Sequence, residues 1–484
     1  MEKNNQTKLP QGWTICKLDD LSLEINSGFP SGRHNKSAIG VPHIRPMNID
    51  WHGNIDLSEL KFVEVNSYDS LKKGDILFNN TNSPKLLGKT TYIRNDTNWA
   101  YSNHMTRIRV NKSLIEPAWI AYYLHKLLWE GFYKVRCTNH VNQASINSTY
   151  LSKHVPIVLA PYEEQEKITS KIEELFSKID STLNSLRKTK LQLKSCKSSL
   201  LKSGFLGELT KDMRDNNSYD SVELLIEKIE NIKEKQEKKL RKIPIPEEDA
   251  YSHEIPNSWR WVRVGNVCLR IQYGTSEKAN DDSSGIPVLR MGNIIDGELN
   301  YDNLKFFPKN WNAKDEFLLE SGDVLFNRTN SAELVGKTAV FENTHPLSVF
   351  ASYLIRAKVA SEIILPKILS YYTNSIFGRM FIRSVVSQQV GQANVNGTKF
   401  ATMCIPLIPM NEQVELINKI ETGISLIQNV SKEVDIRLQN LLSLKSSILK
   451  DAFEGKLVPQ DPNAEPASIL LEKIKHQKNN TKKV

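Results

Sequence analysis

The stretch GDILFNNTNS at residues 74–83 occurs a second time, as GDVLFNRTNS at residues 322–331. The short run LLGKT at 86–90, just downstream of the first copy, returns as LVGKT at 334–338. Both pairs are separated by the same number of residues, so they belong to one long internal repeat. Repeats of this kind indicate a structural unit that is encoded more than once, and they decide the architecture before any single element is considered.

The repeat extends outward from these motifs to nearly the whole chain of 484 residues. Trp13 matches Trp259 near the start of each copy. KSSLLKSGFLGEL at 197–209 matches KSSILKDAFEGKL at 445–457 near the end of each copy. The sequence therefore predicts two homologous halves.

Each half begins with about 150 residues of short apolar runs interrupted by Gly, Asn and Pro, which is typical of an irregular mixed α/β domain. A long helix follows, with apolar residues every seven positions and a second seam position between them. In the first helix the two positions are Ile172, Ile179, Leu186, Leu193 and Leu200, and Ile168, Leu175, Thr182, Thr189 and Cys196. In the second they are Ile420, Ile427, Val434, Leu441 and Ile448, and Leu416, Gly423, Val430, Arg437 and Leu444.

The two helical stripes most simply bury each other. The prediction is an α+β fold with two mixed α/β domains, related by a pseudo-twofold axis and separated by two long helices packed as an antiparallel coiled coil. A slack, charged linker with one short helix at 221–232 joins the halves. The expected boundaries are 1–160 for the first domain, 161–207 for the first helix, 208–254 for the linker, 255–408 for the second domain, 409–457 for the second helix and 458–484 for a tail with a short helix.

Composition narrows the class of protein. The formal net charge is +9 and the pI is near 9.0, which suits a polyanionic partner without proving one. The five cysteines are scattered and form no metal-binding or redox pair, and no apolar run is long enough to span a membrane. We expect a cytoplasmic protein that contains free thiols, no metal and no cofactor.

Catalytic motifs are missing from the sequence. LLGKT and LVGKT resemble part of a phosphate-binding loop, but Ser83 and Ser331 stand where that loop needs its first glycine, and β-rich sequence follows instead of a helix. Metalloprotease, nucleophile-elbow and dinucleotide-binding patterns are also absent. The sequence predicts a binding protein in which no residue is catalytic.

Clusters of polar side chains follow the repeated apolar strands, as NNTNSPK at 79–85 and NRTNSAE at 327–333. Their amide, hydroxyl and guanidinium groups suit base edges and phosphates, whereas the alternative is a turn in which they satisfy their own backbone. Arg45 with Asn48, and Arg290 with Asn293, have the chemistry to read guanine and adenine, with a buried structural arginine as the alternative.

Two further features allow binding. The amide-rich loops NHVNQASIN at 139–147 and SQQVGQANVN at 387–396 favour hydrogen bonding over core formation. The first long helix also carries a run of basic residues that either faces phosphates or an acidic partner, or forms a solvated face: Arg187, Lys188, Lys190, Lys194, Lys197 and Lys202.

Two domains, each followed by a helix that ends in the KSS motif, with GD-hydrophobic-LFNRTNS inside, resemble the specificity subunit of type I restriction-modification systems over essentially the whole chain. The resemblance implies that each domain is a target-recognition domain for one half of a split double-stranded DNA sequence. It also implies that the helices assemble two methyltransferase subunits, through which restriction and translocase subunits join. The loops GFPSGRHNKS at 28–37 and GTSEKANDDS at 274–283 differ, so we expect the target to be asymmetric.

The resemblance and the polar loops together predict the DNA-contacting residues. In the first half they are Arg33, Lys36, Arg45, Asn48, Asn79, Asn80, Thr81, Asn82, Ser83, Lys89, Asn139, Asn142 and Gln143. In the second half they are Thr275, Lys278, Arg290, Asn293, Asn327, Arg328, Thr329, Asn330, Ser331, Lys337, Gln388, Gln392 and Asn394. The arginine of the family's LFNR motif is present as Arg328 but is replaced by Asn80 in the first half.

Two other classes of function are compatible with the sequence. An enzyme, such as a fused methyltransferase–nuclease half, would transfer methyl groups as an isolated chain. A coiled-coil scaffold with two protein-binding arms would lose its affinity for duplex DNA in an excess of unrelated DNA.

Overall fold

The structure is a computed structural model that describes residues 9–31, 33–141, 143–216, 220–246, 253–312, 314–344, 346–389 and 392–481. The chain forms two compact units. The first unit comprises residues 1–187 and 435–484, and the second comprises residues 188–434. Each boundary falls inside a long helix, so each unit contains one domain and parts of both helices.

The first half of the chain alternates short strands with a few helices. Its strands are β1 (Thr14–Lys17), β2 (Ser22–Ser27), β3 (Val41–Ile44), β4 (Lys61–Val63), β5 (Ile76–Asn79), β6 (Thr81–Asn82), β7 (Thr90–Tyr92), β8 (Ala100–Tyr101), β9 (Met105–Val110), β10 (Thr138–Asn139), β11 (Ala144–Ser145) and β12 (Pro156–Leu159). Its helices are α1 (Leu18–Leu21), α2 (Pro117–Trp129), α3 (Ser148–His154) and α4 (Tyr162–Phe205).

The second half repeats this order after a helical linker. Its strands are β13 (Arg260–Arg263), β14 (Cys268–Tyr273), β15 (Ile286–Leu289), β16 (Ile294–Ile295), β17 (Glu298–Leu299), β18 (Lys305–Phe307), β19 (Val324–Asn327), β20 (Thr329–Asn330), β21 (Thr338–Val340), β22 (Val349–Phe350), β23 (Leu354–Val359), β24 (Ser387–Gln389), β25 (Gln392–Asn394) and β26 (Cys404–Leu407). The helices are α5 (Lys211–Asp215), α6 (Glu223–Ile232), α7 (Lys238–Arg241), α8 (Val264–Val267), α9 (Lys314–Phe317), α10 (Pro366–Asn374), α11 (Ile376–Val385), α12 (Gly397–Ala401), α13 (Met410–Phe453) and α14 (Ala467–Thr481).

The sheets of the two units have the same strand order. An antiparallel sheet β2-β9-β5-β7 in the first unit corresponds to β14-β23-β19-β21 in the second. Sheets β4-β3-β8 and β18-β15-β22 also correspond, as do the pairs β1-β12 and β13-β26. The prediction of two equivalent mixed α/β domains is confirmed.

The repeated motif forms the centre of each main sheet. All four residues of β5 and of β19 are buried, as expected for the uninterrupted apolar runs ILF and VLF. Gly74 and Gly322 precede these strands with φ of 85° and 90°, a backbone conformation that residues with a Cβ rarely adopt. The glycine therefore allows the chain to turn sharply into a fully buried strand.

A pair of buried polar residues joins each domain to its long helix. In the first unit, Trp13 Nε1 donates to Glu164 Oε2 over 2.7 Å, and Gln165 Oε1 accepts from the backbone N–H of Glu116 over 3.1 Å. In the second unit, Trp259 Nε1 donates to Glu412 Oε2 over 2.9 Å. Gln413 Oε1 accepts from the backbone N–H of Leu365, which directly precedes α10, over 2.8 Å. Both Glu–Gln pairs lie in the first turn of the helix, which therefore begins in a fixed position on its domain.

Helices α4 and α13 each contain 44 residues and confirm the two predicted long helices. In the second unit, Leu200 fills the space beside Gly423, while Gly204 lies beside the side chains of Leu416 and Ile420. Residue numbers fall along one helix as they rise along the other, so the helices are antiparallel. In the first unit, the fully buried Lys445 donates to Asp180 over 2.6 Å.

The second seam position of the predicted heptads is wrong over part of each helix. Its exposed members are Thr182, Cys196, Val430, Arg437 and Leu444. The buried residues are instead Phe176, Leu183, Ile417, Ile424 and Leu449. Each helix packs against its domain as well as against its partner helix, so the buried face is wider than a two-position seam and follows the 3.6-residue period.

The prediction of a slack linker is also wrong. Leu225, Ile229 and Ile232 of α6, together with Leu240 of α7, are buried in the core of the second unit. In the first unit, α14 takes the corresponding place: Leu470, Leu471 and Ile474 join the core, and the backbone N–H at the start of α14 donates to the Gly12 carbonyl. The amphipathic period that predicted short helices therefore also marks the face that docks.

Within the described residues, no helix has the length and apolarity to cross a membrane.

The two units differ at one buried position on the domain helix. In the first unit, His125 Nδ1 accepts from the backbone N–H of Thr90 over 3.1 Å, and its Nε2 lies 3.0 Å from the Trp51 carbonyl. In the second unit, Asn374 accepts from the backbone N–H of Thr338 over 3.2 Å. Burial lowers the pKa of His125 to about 4 from the ordinary 6.5, so the ring is neutral and donates through Nε2.

We expect Glu412→Ala to loosen the attachment of α13 to the second domain. Glu412 Oε1 also accepts from Thr210 and Arg214, so the change leaves buried donors unpaired at a cost of about 3 kcal/mol. Hydrogen–deuterium exchange should accelerate in peptides covering 210–214 and 410–420 but not in the first unit. Glu415→Ala, which removes a half-exposed carboxylate one turn away, is the control. Unchanged exchange in both variants contradicts this role for Glu412.

We expect His125 to make the first unit sensitive to acid. The unfolded chain binds a proton near pH 6.5 and the folded chain only near pH 4, so stability falls as the pH drops between these values, by up to about 3 kcal/mol. His125→Asn, which introduces the side chain of the second unit, should remove this loss. Urea unfolding at pH 7, 6, 5 and 4 measures the difference, with exposed His140→Asn as the control. Parallel pH profiles for wild type and His125→Asn rule the idea out.

Candidate nucleic-acid interface

A small three-stranded sheet in each unit brings two predicted binding loops together. In the first unit, β6 pairs with β11, and β11 pairs with β10, so the segment Asn79–Ser83 lies beside the segment 138–145. In the second unit, β20 pairs with β25, and β25 pairs with β24. Loops that lie about 60 residues apart in the sequence thus become neighbours, in the same way in both units.

Asn79 and Asn80 use their side chains inside the first unit. Asn79 Nδ2 donates to the carbonyls of Thr81 and His104 over 2.9 and 3.0 Å, and its Oδ1 accepts from Asn82 over 2.8 Å. Asn80 Nδ2 donates to Asn103 O and Thr106 Oγ1 over 3.0 and 2.9 Å. Its Oδ1 accepts from Thr81 over 2.7 Å. Both side chains are buried, so they shape the loop and present no free polar atom.

The equivalent loop of the second unit is less fully bonded. Asn327 is buried and donates to the Met291 carbonyl over 3.3 Å, but its Oδ1 has no partner among the described residues. Arg328 is half-buried against the ring of Tyr273. Thr329 Oγ1 accepts from Asn394 Nδ2 over 2.7 Å, which joins the two predicted loops by their side chains.

Arg45 with Asn48, and Arg290 with Asn293, form matching turns. Each asparagine Oδ1 accepts from the backbone N–H of its arginine, over 3.1 Å for Asn48 and 2.9 Å for Asn293. Each guanidinium donates to a backbone carbonyl across the turn, that of Glu59 or Asn303. Both asparagines are buried with both polar atoms engaged, so they hold the turns in shape, whereas Arg45 and Arg290 are half-buried.

Lys89 is buried and ties the first of these turns to the main sheet. Its ammonium donates to the carbonyl of Pro46 over 2.7 Å and to that of Ile49. Burial lowers the pKa of Lys89, and the two carbonyls compensate in part for the lost hydration. Its counterpart Lys337 is half-buried.

Several predicted residues remain accessible to a ligand. The exposed residues are Arg33, Lys36, Asn139, Gln143, Lys278, Ser331 and Gln392. Thr275 is buried, and its hydroxyl accepts from the backbone N–H of Glu277. Asn142 lies outside the described residues, and of Gln388 only the backbone, in β24, is described. Within the described ranges, no group of acidic, His or Cys side chains could hold a metal ion.

Two features escaped the sequence prediction. The Glu–Gln pairs at the helix starts had a signal, since PYEEQ at 161–165 and PMNEQ at 409–413 occupy matching places in the repeat. The sequence contained no signal for Tyr273, because its counterpart in the first half is Ser27. Only the fold brings its ring next to Arg328.

We expect Asn79→Ala to destabilise the first unit by about 1–3 kcal/mol, because it removes the three hydrogen bonds of a buried amide, to the Thr81 and His104 carbonyls and from Asn82. Asn139→Ala, at an exposed position in the adjacent strand, should change the free energy of unfolding by less than about 0.5 kcal/mol. Urea denaturation of both variants measures the contrast. Equal stabilities would mean that the buried amide network does not support the loop.

Comparisons with known proteins identify the family. The family model for the type I restriction modification DNA specificity domain matches the chain twice, over residues 10–192 and 256–435. The StySPI specificity subunit of Salmonella potsdam, a type I restriction enzyme subunit, is 23% identical over 492 residues, which cover 98% of this chain and 97% of that protein. The EcoKI specificity subunit of Escherichia coli K12 is 23% identical over 490 residues, covering 97% of this chain and 96% of that protein.

Solved structures share the fold. A chain from a study of complex assembly and conformational transition of the type I R-M system has a TM-score of 0.64 at 16% identity, covering 93% of this chain and 99% of that chain. The HsdS subunit from Thermoanaerobacter tengcongensis has a TM-score of 0.50 at 16% identity, covering 94% of this chain and 100% of that chain. Because the family model matches most of the sequence in two copies, the chain belongs to the family of type I restriction-modification specificity subunits.

Proposed function

We propose that this specificity subunit reads a bipartite, asymmetric DNA sequence, with one half-sequence bound by each unit. The observation that carries the proposal is that the same pair of loops is assembled twice on the same sheet order but presents different side chains. Equivalent frameworks place equivalent backbones against DNA, whereas different side chains read different bases. The net charge of +9 favours binding to a polyanion.

In each unit, the accessible residues of the loops predicted to bind DNA are the proposed DNA contacts. Arg33, Lys36, Asn139 and Gln143 serve this role in the first unit, while Lys278, Arg328, Ser331 and Gln392 do so in the second. Long basic side chains suit phosphates or the edge of guanine, and exposed amides suit base edges. The buried residues of the predicted set hold these loops in shape and affect binding indirectly: Asn48, Asn79, Asn80, Lys89, Thr275, Asn293 and Asn327.

The long helices are the proposed docking surfaces for two methyltransferase subunits, through which restriction and translocase subunits join. In the second unit, Leu191, Leu426 and Val430 are 70%, 62% and 47% exposed on these helices. In the first unit, Ile436 and Leu444 are exposed in the same way. Apolar side chains that remain exposed on helices with a well-packed opposite face favour a protein partner.

The chemistry in this proposal belongs to the partner subunits, and the specificity chain selects where they act. The polar clusters of both units consist mainly of amides, hydroxyls and arginines that support recognition. A methyl-transfer assay with the purified chain alone tests this division, and transfer by that chain would overturn it.

We expect sequencing of methylated sites in cells that carry the complete system to reveal one split motif with two unlike halves. The physical reason is the difference between the accessible side chains of the two loop clusters. Removing the gene for this chain, with the partner subunits retained, is the control and should abolish the motif. A palindromic motif, or a motif that persists without the chain, contradicts the proposal.

A further inference from the structure

One arginine in the second unit has a side chain that is held in place but not fully bonded. The Cζ atom of Arg328 lies 4.7 Å from the centroid of the Tyr273 ring, and its Nη1 donates to the Ser352 carbonyl over 3.3 Å. Its Nε is buried without a partner, and Nη2 has no acceptor among the described residues. The guanidinium therefore retains unused donors in a defined orientation.

The backbone on which this arginine is mounted is fixed from both sides. Its N–H donates to the Tyr353 carbonyl over 3.0 Å, and its carbonyl accepts from the N–H of Val395 over 2.9 Å. The Tyr273 hydroxyl accepts from the backbone N–H of Gly397 over 2.7 Å, which fixes the ring beneath the guanidinium. Because both partners of the stack are anchored, little conformational entropy remains to be lost when a ligand binds.

The two arginines that are fully buried among the described residues have carboxylate partners. Arg107 contacts Glu24 and Asp69, and Arg356 contacts Asp323. Arg328 has no carboxylate within 4.0 Å in the part of the chain that the structure describes. Half-buried Arg290 also lacks a carboxylate there, but of the two only Arg328 combines this with an anchored aromatic ring, so its unused donors suit an acceptor that comes from outside.

The first unit has the same backbone arrangement but no arginine at the matching position. The N–H of Asn80 donates to the His104 carbonyl over 3.0 Å, and its carbonyl accepts from Ile146 over 2.9 Å, as at Arg328. The Asn80 side chain, however, turns inward and is fully bonded, and Ser27 occupies the position of Tyr273. An arginine–aromatic pair at this place is therefore specific to the second unit.

We propose that Arg328 reads a guanine in the half-sequence bound by the second unit, that Tyr273 is its positioning residue, and that the first unit has no equivalent contact. This inference rests on the proposed function. Guanine offers O6 and N7 side by side, which match two donors of a guanidinium held in one plane. A phosphate can also accept two hydrogen bonds from the same fork, and the binding experiment described below separates the two contacts.

The test uses the complete complex, so that the chain is studied with its partner subunits. The wild-type motif is first mapped by sequencing methylated sites, and the same mapping is carried out for Arg328→Ala, Tyr273→Leu and Tyr273→Phe. Arg328→Ala and Tyr273→Leu should each relax the same single guanine position, whereas Tyr273→Phe, which retains the ring but loses its hydrogen bond to Gly397, should relax that position less. Arg383→Ala, an exposed arginine on α11 of the same unit, should leave the motif unchanged.

Binding to duplexes that carry the mapped motif separates a base contact from a phosphate contact. Arg328→Ala should weaken binding by about 5- to 150-fold on the wild-type motif and much less on a duplex with that guanine replaced. An equal loss of affinity on both duplexes would indicate a phosphate contact and overturn the inference. In that case the slope of log affinity against log salt concentration should also fall by about 1.

The outcomes also separate this inference from the function on which it rests. If the wild-type complex methylates no defined sequence, the proposed function fails. The wild-type complex could methylate a split motif while Arg328→Ala relaxes none of its guanine positions, or while Tyr273→Leu methylates the unchanged motif. In either case the inference fails and the proposed function stands.

Discussion

A buried carboxylate in the first turn of each long helix accepts a hydrogen bond from a tryptophan near the start of each domain. The distances are 2.7 Å for Trp13 to Glu164 and 2.9 Å for Trp259 to Glu412. A buried carboxylate is stable only when it is well bonded, so its donors fix where the helix begins and how it leaves the domain. The position of the binding loops relative to their helix depends on this contact in both units.

The binding loops are supported by a second set of buried polar groups. Asn79, Asn80 and Lys89 donate to backbone carbonyls in and around these loops. Such residues look like ligand contacts in a sequence because they are polar, clustered and repeated. In the structure they stabilise the loops, and the accessible side chains around them are free to differ between units.

The shared framework of the two units is separate from the side chains in which they differ. The sheet order and the helix attachment are the same in both units. At two matching positions the units differ: Asn80 stands where the second unit has Arg328, and Ser27 stands where it has Tyr273.

The amino-acid sequence by itself determined the duplication, the mixed α/β class, the two long helices and the family, because repeats and apolar periods are local properties that survive divergence. Only the tertiary structure decided which face of each helix is buried, since Phe176 and Ile424 pack against neighbours that the heptad pattern does not contain. It also decided that the linker docks and that Asn80 is fully bonded. The stacking of Arg328 on Tyr273 joins residues 55 positions apart, and contacts of this kind depend on the fold rather than on sequence spacing.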